Sequence, residues 1–450
     1  MAAGRWYPTV TALNNGEQLI TSGGPSTPEV RQNDGTLRSL SSASLGLPLY
    51  PWFDVAPNGR AFYSGPDQTL RGLDPSGTGS WQTYQQRDGI DRSYGGHAFF
   101  DIGKELVAGG GPSSTSAEVI DVQGATPTVT STAPMAFGRR QHNLTVLADG
   151  TVLATGGNSS GAGLVDLNAG VYNAELWNPT TGTWRTLAAM QVTRQYHSTA
   201  LLLPDGRVLS AGGGICGTCD QVGYLAKNAE IFSPPYLFDS SGNPATRPTI
   251  TSAPSSVTYG QQFQLDTPDA ASISKLALVR LGAVTHSVNM EQRYVPLSYT
   301  ASSSALNAAA PANKNIAPPG YYMLFAIDSN GVPSIAKFVR VDNPPPPTNH
   351  PPTVTLTSPA DGGTYTAPAK ISLAADAHDP EGDGTLSSVS FYDGPSRIAI
   401  DTAPDPTSGL YTYRWNVAAV GRHVLTARAT DNQGATTTSS AVTITVNKKR

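Results

Sequence analysis

Over residues 5 to about 244, apolar and polar positions alternate in short runs, interrupted by Asn-Gly, Asp-Gly or Gly-Gly. Alternation with a period of two, punctuated in this way, predicts strands joined by tight hairpins rather than helices. The runs fall into five copies. Four open on an arginine: Arg5-Trp6-Tyr7, Arg92-Ser93-Tyr94, Arg139-Arg140-Gln141 and Arg194-Gln195-Tyr196. Eleven or twelve residues after each arginine stands Gly16, Gly103, Gly150 or Gly206, and a Gly-Gly pair follows. A degenerate copy without the arginine passes through Tyr50, Gly59 and Gly65. A third strand is marked by Glu29-Val30, Glu118-Val119, Glu175-Leu176 and Glu230-Ile231, and a fourth follows another turn, as in Asn178–Trp184. Four strands per unit at a period close to 50 residues predict propeller blades. In such an array equivalent positions meet at one axis, so the third residues of the opening phrases should converge there.

Two further all-β regions follow. Residues 245–342 carry strands such as Lys275–Arg280 and Tyr321–Ala326, with a turn at Asp328–Gly331, a pattern that suits an immunoglobulin-type sandwich. Residues 343–352 are proline-rich and predict a stiff linker. Residues 353–447 alternate again, as in Thr353–Leu356, Ser388–Phe391 and Thr443–Val446, and predict a second, independent sandwich. Its acidic stretch Asp376–Asp383 reads as solvated turn acids or, alternatively, as oxygen ligands for calcium.

Composition supports an all-β extracellular protein. Only 14% of residues are charged, and 46 glycines and 36 prolines stand among 450 residues. A net charge of −4 gives no basic field, which argues against nucleic acid as a partner. No apolar run is long enough to span a membrane, and the chain is expected to be a monomer. The two cysteines, Cys216 and Cys219, form Cys-Gly-Thr-Cys. Zinc would call for further ligands and a redox CxxC for a βαβ setting, so a small loop-closing disulfide is favoured. Met1-Ala2-Ala3-Gly4-Arg5 runs straight into the first copy with no signal peptide. It shares its Met-x3-Arg spacing with Met135–Arg139 and Met190–Arg194, so Met1 reads as an internal residue of a longer array.

Four residues stand outside the strand pattern: Tyr7, Tyr196, His197 and His286. Each has an ordinary alternative as a packed tyrosine or a satisfied histidine. Together with Arg194–Ser198, Leu202–Val208, Gly212–Gly217, Phe232–Leu237, Thr285–Asn289 with Gln292-Arg293, and Pro319–Phe325, they resemble the galactose oxidase and glyoxal oxidase family over roughly residues 1–342. The resemblance implies a seven-bladed kelch-type propeller followed by an E-set sandwich. It implies a copper-radical oxidase, secreted, that oxidises a primary alcohol or aldehyde (a carbohydrate among the candidates) with O2 to give H2O2. By the same resemblance His197 and His286 are the imidazole ligands of one copper, Tyr196 is the axial tyrosine and general base, and Tyr7 is the equatorial radical tyrosine. Two imidazoles with phenolate oxygens suit Cu(II) chemically. The family's disulfide corresponds to Cys216–Cys219.

The chain also departs from the family. The radical tyrosine is normally joined to a cysteine by a thioether, and both cysteines here match the disulfide. Five blades are visible where seven are expected, which implies that the missing blades and cysteine lie upstream and that this chain alone turns over poorly. The loop Gly23–Thr27 has no aromatic residue to stack over Tyr7, which argues against galactose as substrate. Two other readings remain: five blades that close by themselves, and a non-catalytic carbohydrate- or cell-surface-binding protein.

Overall fold

The computed structural model describes residues 1–161, 163–342 and 349–450. The five repeats become five antiparallel sheets with strands in sequence order. The first comprises Thr9–Ala12, Gln18–Thr21, Glu29–Arg31 and Leu37–Ser39; the second begins at Trp52–Val55, the third at Gly96–Asp101 and the fourth at Arg140–Val146. The glycines of the five hairpins, Gly16, Gly59, Gly103, Gly150 and Gly206, all lie in the left-handed region, with φ from 66° to 88°. That is the conformation for which the turn dipeptides were read.

The fifth sheet differs from the expected four strands. Among the described residues it has three: Thr199–Leu202, Val208–Ala211 and Ala229–Phe232. The next residues are Ser233-Pro234-Pro235, and the two prolines offer no N–H to a ladder. The chain turns there through a short 3-10 segment, Pro235–Leu237.

The glutamates of the third strands now have a reason. In each arginine-bearing repeat the guanidinium folds under the blade, where it binds carbonyls in and around the glycine pair and lies against that glutamate. Arg139 is the clearest case: it donates to Gly156 O at 2.8 Å and to Glu175 Oε2 at 2.7 Å, with both side chains fully buried. Arg5–Glu29 (2.8 Å), Arg92–Glu118 (3.7 Å) and Arg194–Glu230 (3.4 Å) repeat the pairing.

Residues after 245 form a five-stranded sheet with Gly320–Asp328 at its centre and a three-stranded sheet of Gln262–Asp266, Ala305–Ala309 and Tyr299–Ala301. Leu276, Leu278, Leu306, Tyr322 and Leu324 fill the core between them. The opposite face of the larger sheet, with Ala277, Val279, Met323 and Phe325, shares a second core with Phe100, Leu144, Val146 and Trp177 of the third and fourth propeller sheets. The sandwich is thereby fixed to the propeller by continuous apolar packing.

The chain divides into two compact units, Met1–Pro344 and Pro345–Arg450. Residues 343–348 of the expected linker lie outside the described residues. The second unit is a two-sheet sandwich around Ile371, Leu373, Phe391, Leu425 and Ile444. In its acidic stretch, His378 bonds Asp376 and Asp383, and His350 bonds Glu381. No helix among the described residues is long and apolar enough to cross a membrane.

Candidate metal centre

One residue at the mouth of each propeller sheet is held in the left-handed region: Tyr7 (φ 60°), Tyr50 (48°), Tyr94 (61°), Gln141 (59°) and His197 (66°). Side chains other than glycine enter this region only when the surroundings impose it. Here the imposition is partly blade to blade. Tyr50 N donates to Tyr7 O at 3.0 Å, and Gln141 N to Tyr94 O at 2.7 Å. In the fifth repeat the left-handed residue is His197, one position later than the spacing placed it. Tyr196 is therefore not the backbone equivalent of Tyr7, and this shift presents both Tyr196 and His197 to the axis.

His286 arrives from the sandwich on a hairpin, Ala283–Thr285 paired with Val288–Met290, whose two turn residues His286 and Ser287 both have positive φ. The three residues that follow lock the hairpin to four blades. Glu291 Oε1 accepts from Ala12 N at 2.6 Å. Gln292 donates to His97 O and Leu144 O and accepts from Val146 N, at 2.9–3.2 Å. Arg293 donates to Val55 O at 2.6 Å. Each of these partners lies on the inner strand of a different sheet or, for Leu144 and Val146, on the same one.

The four residues singled out in the sequence meet at this point. The imidazoles of His197 and His286 stand at 86° with ring centres 4.2 Å apart. Tyr196 stacks on His197 at 4.0 Å, Tyr7 lies 4.5 Å from His286, and the Tyr7 and Tyr196 hydroxyls are 3.4 Å apart. His197 Nδ1 donates to Gly214 O at 2.7 Å; a carbonyl only accepts, so the proton sits on Nδ1 and Nε2 keeps its lone pair. His286 Nδ1 bonds Thr285 Oγ1 at 2.6 Å, while its Nε2 is buried with no protein partner. Two free imidazole nitrogens and two phenol oxygens converging in this way fit a mononuclear copper centre, and an orphaned buried Nε2 is what a ligand awaiting its metal looks like. Burial, reinforced by the neighbouring His197, lowers the pKa of His286 to about 4, so it is neutral at ordinary pH. Burial, the hydrogen bond to Tyr7 and the charge of Tyr7 raise that of the Tyr196 phenol above its ordinary range.

Tyr7 does not lack stacking partners, as the Gly23–Thr27 loop had suggested. Trp6 and Tyr50 each stack on it at 4.8 Å, at 25° and 23°. The cavity over the centre, about 270 Å³, is lined by Tyr7, Tyr50, Tyr196 and His286 together with Leu49, Trp52, Tyr94 and Val288. No Lys, Arg, Asp or Glu lines it among the described residues. Cys216 and Cys219 are bonded to each other, and Cys219 packs with Tyr196 and Tyr224 beneath the site. No free thiol stands among the described residues.

A second cluster lies deeper. Asp54, His97 and Glu105 bring ligand atoms within 4.8 Å of one another, the one such group among the described residues. His97 Nδ1 bonds Glu105 Oε1 at 2.9 Å, and Arg293 lies 3.7 Å from Asp54. Burial opposes charge on His97, yet the Glu105 hydrogen bond and the two carboxylates outweigh it and raise its pKa. Burial raises the pKa of Asp54 to about 7, the charged form of His97 is favoured by its carboxylate neighbours, and Arg293 adds a guanidinium, so this cluster is read as a buried ion network joining two blades to the sandwich.

The sequence reading missed Tyr50, Thr285, Gly214 and Glu291. Tyr50 had a signal, being the third-residue tyrosine of the degenerate repeat. Thr285, Gly214 and Glu291 act through a hydroxyl, a carbonyl and a docking contact that no spacing marks.

Residues 247–341 match the family described as "Galactose oxidase-like, Early set domain", and residues 352–446 match a bacterial Ig domain. Galactose oxidase of Gibberella zeae is 34% identical over 379 residues, 76% of this chain and 55% of that protein. Aldehyde oxidase GLOX of Vitis pseudoreticulata is 29% identical over 76% of this chain and 72% of its own. The solved structure of a fungal alcohol oxidase of the AA5 family, in complex with copper, superposes with a TM-score of 0.70 at 28% identity, covering 76% of each chain. The chain spans about half the length of the galactose oxidases it matches.

Proposed function

We propose that this chain, similar to galactose oxidase and glyoxal oxidase proteins over 76% of its length, is a copper-dependent oxidase that converts a primary alcohol or aldehyde with O2 to the oxidised product and H2O2. The observation that carries the proposal is the pair of histidines whose Nε2 atoms are left free beside two tyrosine hydroxyls. His197, His286, Tyr7 and Tyr196 would hold the metal. When bound, copper supplies a site for the alcohol oxygen and accepts one of the two electrons removed. The chain's own residues do the rest. Tyr196 Oη receives the hydroxyl proton of the substrate, a task suited to a phenolate made strongly basic by burial. Tyr7, oxidised by one electron, takes the hydrogen atom from the carbon, and the Trp6 and Tyr50 rings stacked on it spread and shield the unpaired spin. The loss of two hydrogens from the alcohol, or from the hydrate that an aldehyde forms with water, balances the reduction of O2 to H2O2. Extracellular residence suits the Cys216–Cys219 disulfide.

The uncharged, aromatic-rich walls support an alcohol with an apolar or aromatic flank over a sugar, whose many hydroxyls would find few partners there. Copper titration and peroxide assays test both levels. The native protein should bind one Cu(II) and release peroxide faster with benzyl alcohol than with D-galactose, and His197→Ala or His286→Ala should abolish the ligand-field spectrum. A native protein that binds no copper would instead favour the non-catalytic binding reading.

A further inference from the structure

Tyr196 and His197 are held from behind by a small lobe, residues 213–226, that begins at the glycines of the fifth repeat. Cys216 and Cys219 are bonded at the start of a short helix, Gly217–Gln221, and Cys219 O accepts from Tyr224 N at 2.8 Å. Tyr224 is 5% exposed and shares a small apolar cluster with Tyr196, Val165 and Cys219. Its hydroxyl accepts from Gln195 N at 2.8 Å and donates to Thr193 O at 3.3 Å. Gly214 N donates to Tyr196 O at 2.9 Å, and Gly214 O accepts from His197 Nδ1 at 2.7 Å. The lobe therefore bonds the chain at Thr193, Gln195, Tyr196 and His197.

This segment has to be held, because His197 stands at φ 66°, a conformation that a histidine keeps only when its surroundings impose it. Between the first and second repeats, and between the third and fourth, the following blade contributes one backbone hydrogen bond, from Tyr50 N to Tyr7 O and from Gln141 N to Tyr94 O. At Tyr196 the donor is Gly214, from the same repeat. Gly214 is in turn set by the residues around Tyr224. It forms an isolated bridge with Leu225, and Gly213 O accepts from Ala226 N at 3.0 Å. A Cβ on Gly213 would overlap the Tyr224 hydroxyl, and one on Gly214 the Tyr224 carbonyl. The packing leaves the Tyr224 side chain one seat, with its hydroxyl against the peptide that leads into Tyr196.

We infer that Tyr224 is a positioning residue of the metal centre: from the seat that the Cys216–Cys219 loop gives it, its hydroxyl fixes the peptide that carries Tyr196 and His197 to the axis. The inference rests on the proposed metal-binding reading, and its experiment separates the two. Tyr224→Phe keeps the ring and removes the hydroxyl. In that variant without metal, hydrogen exchange at the Gln195 amide should speed up about 10-fold, while the amides of Arg140–Val146 keep native rates. Cu(II) titration should show binding weakened about 10- to 100-fold. Cys216→Ala combined with Cys219→Ala unseats the lobe and should reproduce both changes, and adding Tyr224→Phe to it should weaken binding little further. Native exchange at Gln195 in Tyr224→Phe, or faster exchange with native copper affinity, overturns the inference. Faster exchange throughout Arg140–Val146 as well would mark a merely structural tyrosine and overturns it too. A native protein that binds no copper, with the exchange change confined to Gln195, supports the seat of the Tyr196–His197 segment and overturns the metal reading alone.

Discussion

A methyl group added at Gly156 would run into the carbonyl of Arg194 in the following repeat, at a backbone φ of 69° that other residues rarely adopt. The same glycine accepts Arg139 on its own carbonyl, so one position serves two blades. Gly156→Ala is expected to lower stability by roughly 1–3 kcal/mol, read as a shifted urea midpoint with unchanged slope. The Gly-Gly pair was legible as a repeat mark, whereas the opposing carbonyl was not, because it belongs to a residue 38 positions away. His142 shows the same limit for charge. It is fully buried, and burial together with the positive Arg139 and Arg92 holds its pKa down at about 3. The unfolded chain takes up this proton near pH 6.5 and the folded chain does not, so its contribution to stability is intact above about 6.5 and falls as the pH drops toward 3. Comparing the wild type with His142→Leu over that window should show the shallower pH slope in the variant. Nothing in Arg-Gln-His-Asn announces a neutral, buried imidazole; the neighbouring blades create it.

At the scale of elements, the arginine-to-glutamate anchor explains why the four arginine-bearing repeats each carry both residues. Arg139→Met leaves Glu175 buried without its cation and should cost about 3–5 kcal/mol, while Arg139→Met combined with Glu175→Leu should recover much of the loss, as measured by denaturant unfolding. The sequence displayed these residues as spaced marks and could not say that they pair. The fifth sheet is the counter-example, where the repeat pattern predicts a fourth strand and Pro234-Pro235 remove it. The His286 hairpin depends on another element again. Gln292 is nearly fully buried and makes three hydrogen bonds to inner strands, so Gln292→Leu strands three backbone groups. That change is expected to cost on the order of 2–4 kcal/mol and to weaken copper binding without touching a ligand, checked by paired unfolding and titration curves.

Across the whole molecule, the second unit has its own closed core and two sheets. Its unfolding should appear as a transition separate from that of residues 1–344, visible as two calorimetric peaks, and a single concerted peak would contradict this. The sequence by itself determined the all-β class, the five repeats, the disulfide pair and the four residues of the candidate centre. Each of these is written in local spacing or in phrases long enough to be recognised. Only the tertiary structure decided that Tyr50 stacks on both Tyr7 and His286, that His197 rather than Tyr196 takes the left-handed position, and that Glu291, Gln292 and Arg293 dock the His286 hairpin on four blades. Most of those relations join residues of different blades and of the sandwich. They arise from how sheets pack about an axis, and no period along the chain encodes which side chains packing brings face to face.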